Sequence, residues 1–234
     1  MHNYSDVAVV MITRNEELAV EKVVRDAFLN LPGCSVFVID GSSDRTAELA
    51  ALAGAIVIQE PGGGFGPALH CALNSPSSVF SIIATVDADD TYPPEILPDL
   101  VRMVRSGIDV AGANRLTITP TKHMPLINWA ANLTFNLIAS FRARRIIRDV
   151  HSGQRAYKRE VIKMFDWDYK GYAFPIDLLF WPAMAGLKIK EIQIVYRERI
   201  GETTLVRGPS GRASIKRLLR KRSNFRLSSS RESL

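Results

Sequence analysis

Cysteine is scarce. Cys34 and Cys71 are the only two in 234 residues, too few and too far apart for a disulfide framework, a zinc knuckle or a redox pair. They read as buried thiols in a reducing compartment. No window holds 18 uninterrupted apolar residues, so no membrane-spanning helix is expected. Met1 to Asp6 lack a basic stretch ahead of an apolar core, so no secretory signal is expected. No G-x-G-x-x-G follows the first apolar run, which speaks against a standard dinucleotide-binding domain. Basic residues are also missing from the body as an excess. The net charge is +6, but eight Lys and Arg against one Glu lie from Arg212 onward, so residues 1–211 are close to neutral. A nucleic-acid-binding body is thereby excluded, and no nucleic-acid partner is expected.

Hydrophobic residues make up 47% of the chain, enough for a real core. They fall in a repeated order. Val7–Ile12, Val36–Ile39, Ala55–Ile58 and Phe80–Val86 read as buried strands, each followed by a helical stretch. Four such β-α units in about 105 residues predict an α/β fold with a parallel sheet and right-handed crossovers. Asn15 is a fair N-cap for the first helix. Asp109–Ala113 is a fifth strand and Lys188–Tyr196 a later one.

The stretch Thr85-Val86-Asp87-Ala88-Asp89-Asp90 places three carboxylates at the end of an apolar strand. Like charges this close repel, and burying them unpaired is costly. In an extended segment Asp87 and Asp89 point the same way and reach one divalent cation. The bland alternative is an acidic turn. Polar residues after the first strand and the glycines of Gly62-Gly63-Gly64-Phe65-Gly66 face the crevice where open α/β sheets bind ligands.

Met124–Phe141 is an apolar helix with Asn128, Asn132 and Asn136 along one face, and Arg142, Arg144, Arg145 and Arg148 gather at its end. It reads either as an interfacial helix or as a core helix with a cationic C-terminus. Asp177 opens a further apolar helix. Residues 212–227 interleave basic and apolar side chains, which suits an anionic membrane surface or a solvated tail, and 228–234 read as disordered.

Asn15-Glu16, Asp40-Gly41-Ser42-Ser43-Asp44, Gly64-Phe65-Gly66, Asp87-Ala88-Asp89, Ser152-Gly153-Gln154-Arg155 and Arg199-Ile200-Gly201-Glu202-Thr203, in this order, resemble the family 2 inverting glycosyltransferases of GT-A fold. Within that family the pattern is most similar to the dolichyl- or polyprenyl-phosphate sugar synthases. The resemblance runs from about Val7 to Leu205. It implies a Rossmann-like, mostly parallel sheet flanked by helices in a single domain over 1–209, with a nucleotide-binding half (about 1–115), an acceptor half (about 116–209) and a basic tail (210–234). It also implies roles. Thr13, Asn15, Glu16, Asp40, Gly64, Gly66, Asp87 and Arg115 would bind a UDP- or GDP-sugar. Asp87 and Asp89 would hold Mg²⁺ or Mn²⁺. Arg115 and Arg199 would contact phosphates. Ser152 and Arg155 would bind the acceptor. Asp89, Arg199 and Asp177 would carry catalysis, with Asp177 either a base or a first-turn helix acid.

Departures qualify the pattern. Ile39 stands where the family often has an acid, and Thr91 where Gln or Ser is common. Gly201-Glu202-Thr203-Thr204 replaces a motif usually ending Gly-Glu-Ser-Lys. Many members add transmembrane helices. This chain ends in a basic tail, so surface helices or a membrane-anchoring partner protein are expected, with the protein peripheral on the cytoplasmic face of a membrane. The expected reaction is sugar transfer from a nucleoside-diphosphate sugar to a polyprenyl phosphate. The alternatives are an alcohol acceptor with Asp177 as base, a nucleotidyltransferase (whose usual Gly- and Lys-rich loop is missing), and an inactive membrane-peripheral subunit.

Overall fold

The computed structural model describes residues 3–117, 124–201 and 207–220, without the side chains of 207–210. Glu202, Thr203, Thr204 and the expected disordered end of the tail lie outside the described residues. One seven-stranded sheet runs through the chain in the order β3-β2-β1-β4-β6-β5-β7. The strands are β1 (Val7–Thr13), β2 (Ser35–Asp40), β3 (Ile56–Gln59), β4 (Ile82–Thr85), β5 (Val110–Asn114), β6 (Arg155–Lys158) and β7 (Ile189–Gln193). β1 lies between β2 and β4, parallel to both, as the β-α repeat requires.

The strands read as unbroken apolar runs because both faces of the sheet are covered. Val7, Val9 and Met11 face α1 (Val20–Asn30) and α4 (Leu97–Arg105), in a core with Val24, Leu100 and Val104. Ala8 and Val10 face the other way, into a core with Leu69 of α3 (Phe65–Asn74), Phe135 of α5 (Leu126–Ala143) and Phe180 of α7 (Phe174–Met184). Cys34 is buried and Cys71 half-buried, both free. Burial pushes the Cys34 thiol up to about 12, so it is inert.

Three local expectations change. β6 enters between β4 and β5 antiparallel to both, so the sheet is mostly rather than wholly parallel. The first helix begins at Val20, with no side-chain cap from Asn15. The basic tail is not an appendage where it is described. α8 (Arg207–Leu218) packs on the body, with Ser214, Arg217 and Leu218 buried.

Arg217 explains that packing. Its Nη1 donates to Asp177 Oδ2 at 2.5 Å, in an ion pair whose side chains are 4% and 2% exposed. Asp177 lies in the first turn of α7, and its Oδ1 is buried without a partner. Burial pushes the Asp177 carboxyl up to about 7 against the opposing charge of Arg217. Of the two roles left open for Asp177, base or first-turn helix acid, the position is that of the second, and the buried pairing with Arg217 makes it an anchor. Its folded pKa exceeds its ordinary 3.8, so the folded state holds the extra proton and loses stability as pH rises from about 4 to about 7. Asp177→Asn removes that slope. Melting temperatures of the two proteins across this range are expected to diverge in favour of the variant as pH rises, then run parallel above pH 7. Parallel curves throughout would show that Asp177 does not titrate in this window.

Candidate active site at the carboxyl edge of the sheet

The carboxyl ends of β1, β2 and β4 lie at one edge. Thr13, last in β1, donates through Oγ1 to Asp40 Oδ1 at 2.7 Å, and Asp40 closes β2. Ser42 Oγ donates to the same oxygen at 2.6 Å. Asn15 has φ +59°, a left-handed conformation that its short polar side chain tolerates. Its Oδ1 accepts the Ser43 N–H at 3.0 Å, and its own N–H donates to Ser42 Oγ at 2.8 Å. Thus Asn15 is a loop-to-loop tie rather than the expected helix cap. It locks the loop after β1 to the loop after β2.

β4 stops at Thr85, and Ala88 and Asp89 lie in a turn. Asp87 and Asp89 therefore converge through a turn, not through the alternation of an extended strand. Asp90, at φ +60°, leaves the group to pair with Lys22 at 2.8 Å. Asp89 Oδ1 accepts from Thr91 Oγ1 at 2.6 Å, and its Oδ2 accepts from Arg199 Nη1 at 2.6 Å. The other arm of Arg199 pairs with Glu16 Oε1. Glu16 Oε2 is buried with no hydrogen-bond partner. Burial pushes Glu16 up to about 7, with the charges of Asp89 and Asp87 adding and Arg199 opposing. Burial and then Asp89 raise Asp87 as well, against Arg115, Arg199 and Arg155. Three carboxylates thus share a partly buried pocket with one directly bound guanidinium. Ionising all three there calls for further positive charge, because burial and mutual repulsion raise Glu16 and Asp87.

Two other arginines are fastened to partners within the protein. Arg115 forks onto Asp149, Nε to Oδ2 at 2.7 Å and Nη2 to Oδ1 at 2.8 Å. It lies against the edge-to-face pair of Tyr92 and Tyr196, 5.8 and 5.5 Å from their centroids. It therefore acts on Asp87 by its field, not by reaching into the crevice. Arg155 is buried and donates to the carbonyls of Pro175 at 2.7 Å and Val150 at 2.8 Å, so it braces the wall behind the site. Ser152 is buried too, its Oγ donating to Gln154 O at 3.3 Å. Direct acceptor contacts by Ser152 and Arg155 are thus not prepared in this conformation. Gly153 lies against the Asp87 carboxylate, where a Cβ would not fit, and its N–H donates to Tyr92 Oη at 2.6 Å.

Gly64 sits at φ +86°, just ahead of α3, and its N–H donates to Glu60 Oε1 at 3.1 Å. Gly66 is pressed against the carbonyl of Tyr169, again without room for a Cβ. Phe65, Leu69, Asp87, Ser152, Arg155 and Leu178 line a small cavity running in from the acids. Sequence reasoning missed Tyr92, Asp149 and Glu60, which hold the site together. Asp149 alone gave a signal, as an acid two residues before His151-Ser152-Gly153. Among the described residues no three His, Cys, Asp or Glu side chains form a ready metal cage.

Comparison with known proteins gives this geometry a family. The model of glycosyl transferase family 2 matches residues 8–165. The chain is 39% identical over 205 residues to a dolichyl-phosphate hexose transferase of Haloferax volcanii, covering 87% of this chain and 88% of that one. It is 29% identical to a polyprenol monophosphomannose synthase of Mycolicibacterium smegmatis, covering 82% and 77%. Among solved structures it is similar to a glucosyl-3-phosphoglycerate synthase from Mycobacterium tuberculosis in complex with Mn²⁺, uridine diphosphate and phosphoglyceric acid. That likeness has a TM-score of 0.73 at 22% identity, covers 91% of this chain and 77% of that one, and shows the fold alone. The match over residues 8–165 and the near full-length relative at 39% identity agree with the acidic crevice described above: the chain belongs to glycosyl transferase family 2.

Proposed function

We propose that this glycosyltransferase moves a hexosyl group, with inversion, from a nucleoside-diphosphate sugar to a polyprenyl phosphate at a membrane surface. The observation that carries the acceptor assignment is the state of Asp177. A base must reach the proton it removes, and this carboxylate is 1% exposed and held by Arg217. A phosphate acceptor is already ionised near neutral pH and needs no such base. The relatives named for dolichyl-phosphate and polyprenol substrates support the same reading.

The cost of ionising Glu16 and Asp87 beside Asp89, with Glu16 Oε2 unpartnered, fits a divalent cation, and a donor set of carboxylates suits Mg²⁺ or Mn²⁺. Asp87 and Asp89 would hold it together with diphosphate oxygens, and when bound it supplies positive charge to the leaving group. Arg199 is the second source of that charge. Its fork, now on Asp89 and Glu16, exchanges carboxylate oxygens for diphosphate oxygens as the donor binds. The Asn15–Ser43 and Thr13–Asp40 ties keep the nucleotide side rigid. An oxygen of the acceptor phosphate bonds to the anomeric carbon as the bond to the diphosphate oxygen breaks. Orientation and charge stabilisation carry the rate.

Membrane contact has a physical basis in α5. Ile127, Leu137 and Phe141 lie on one side of the helix and are 72%, 71% and 86% exposed. No acid occurs from Met124 to Arg148. Trp129 is not on this stripe, since its Nε1 donates to Thr117 O. Exposed Ile215 and Leu219 of the α8 region add apolar surface among basic residues. Apolar insertion plus basic charge are the two signals that peripheral binding usually takes. We assign the protein to the cytoplasmic face.

Three measurements test this reading. Asp89→Asn is expected to fold yet lose metal-dependent UDP or GDP binding in calorimetric titrations with Mn²⁺. Unchanged binding would remove the metal assignment. Asp177→Asn is expected to keep turnover on polyprenyl phosphate within about tenfold of wild type, whereas loss of a general base costs about 10²-fold or more. A loss of that size in a folded variant would restore Asp177 as a base and favour an alcohol acceptor.

The third addresses location. Truncation at Arg212 would strip Arg217 and Leu218 from the body, so point changes are needed. Leu137→Glu with Phe141→Glu is expected to abolish co-sedimentation with anionic vesicles at low salt, where wild type binds. Wild-type binding itself should weaken at high salt, as the Debye length shrinks from about 10 Å at 0.1 M to about 3 Å at 1 M. Indifference of the wild type to anionic vesicles would turn the acceptor assignment toward a soluble molecule.

A further inference from the structure

α8 touches the site from behind through buried polar contacts. Ser214 Oγ lies 3.0 Å from His151 Nε2, on the loop that continues into Ser152 and Gly153 beside Asp87. Arg217 does more than pair with Asp177. Its Nη1 also donates to the carbonyl of Asp168 at 2.6 Å, and its Nη2 to the carbonyl of Lys170 at 2.7 Å. Arg220 pairs with the Asp168 carboxylate at 2.6 Å. One guanidinium therefore ties α7 to two backbone carbonyls of the segment 168–170.

That segment rests on the glycine loop and the start of α3. The Tyr169 ring stacks on His70 with centroids 4.2 Å apart and an interplanar angle of 21°. The Tyr172 ring lies 5.8 Å from that of Phe65. The Tyr169 carbonyl abuts Gly66 so closely that only glycine fits. A planar five-donor fork can hold a carboxylate and two carbonyls at once; a lysine cannot reproduce that geometry.

We infer that Arg217 is a positioning residue of the transferase: it fixes the 168–172 segment on Phe65, Gly66 and His70, and so sets the wall of the donor-sugar pocket. This rests on the reading of the glycine loop as part of the donor site. Asp177 is then the anchor of Arg217. The helix that carries Arg217 turns Arg212, Ile215 and Lys216 outward, so one short helix serves the solvent or lipid side and the site side together.

Arg217→Lys tests the inference in the full chain. Backbone amides of 166–173 and 64–70 are expected to exchange with deuterium faster, while those of β1 and β4 stay protected. The KM for the nucleotide-sugar donor is expected to rise about tenfold, the scale of one lost charge-assisted hydrogen bond, with kcat within about twofold and its pH profile unmoved. If Arg217→Lys fails to fold, Arg217→Gln with Asp177→Asn, which keeps the volume and a neutral hydrogen bond, is measured in the same way. Exchange unchanged in 166–173, or raised equally through β1 and β4, overturns the inference. So does a fall in kcat with the donor KM unchanged. Faster exchange confined to the two segments, in a protein whose wild type binds no nucleotide sugar, upholds the strut and removes the donor-site reading instead.

Discussion

Negative charge held at the carboxyl end of β4 is the constraint on which the site depends. Glu16, Asp87 and Asp89 meet where β1 and β4 deliver their loops, and burial makes their ionised forms expensive. The surroundings answer with cations at graded distance. Arg199 binds two of the carboxylates directly, whereas Arg115 and Arg155 are fastened to Asp149 and to backbone carbonyls. Arg115 and Arg155 thus contribute a fixed field, and Arg199 the direct contact.

The antiparallel β6 makes this arrangement possible. It runs between β4 and β5, pairing Thr85 with Arg155, and so returns the loop 149–154 to the acids at the end of β4. Gly153 then presses on Asp87, with its N–H on Tyr92, and Asp149 receives Arg115. Were β6 parallel to β4, the loop leading into it would lie at the opposite edge of the sheet, away from the acids. The loop 149–154 is thus built on the same sheet as the acids, not on a second domain. α8 completes it from outside, through Arg217 and Ser214.

Much of the fold was legible along the chain. The first four strands, their alternation with helices and the acidic end of the fourth follow from hydrophobic runs and their interruption, which are local properties. The expected residues Thr13, Asn15, Glu16, Asp40, Asp87, Asp89 and Arg199 do meet at one edge. The buried partners of Arg115, Arg155 and Asp177 did not follow, because an arginine or aspartate looks the same in sequence whether it faces a crevice or a buried partner. Asp177 meets Arg217 across 40 residues and Arg115 meets Asp149 across 34, and no periodicity encodes such pairs.

By itself, then, the sequence determined the α/β class, the strand that carries the acids, the scarcity of reactive thiols and the placement of positive charge near the C-terminus. Each is a matter of composition or of neighbours within a few residues, where side-chain alternation and turn chemistry act. Only the tertiary structure decided that β6 enters antiparallel, that Asp87 and Asp89 converge through a turn, and that the start of the basic tail is a buried strut. Those outcomes depend on which distant group satisfies a buried charge or an open strand edge. Long-range pairing settles that, because an unpaired buried group costs more than a local preference can return.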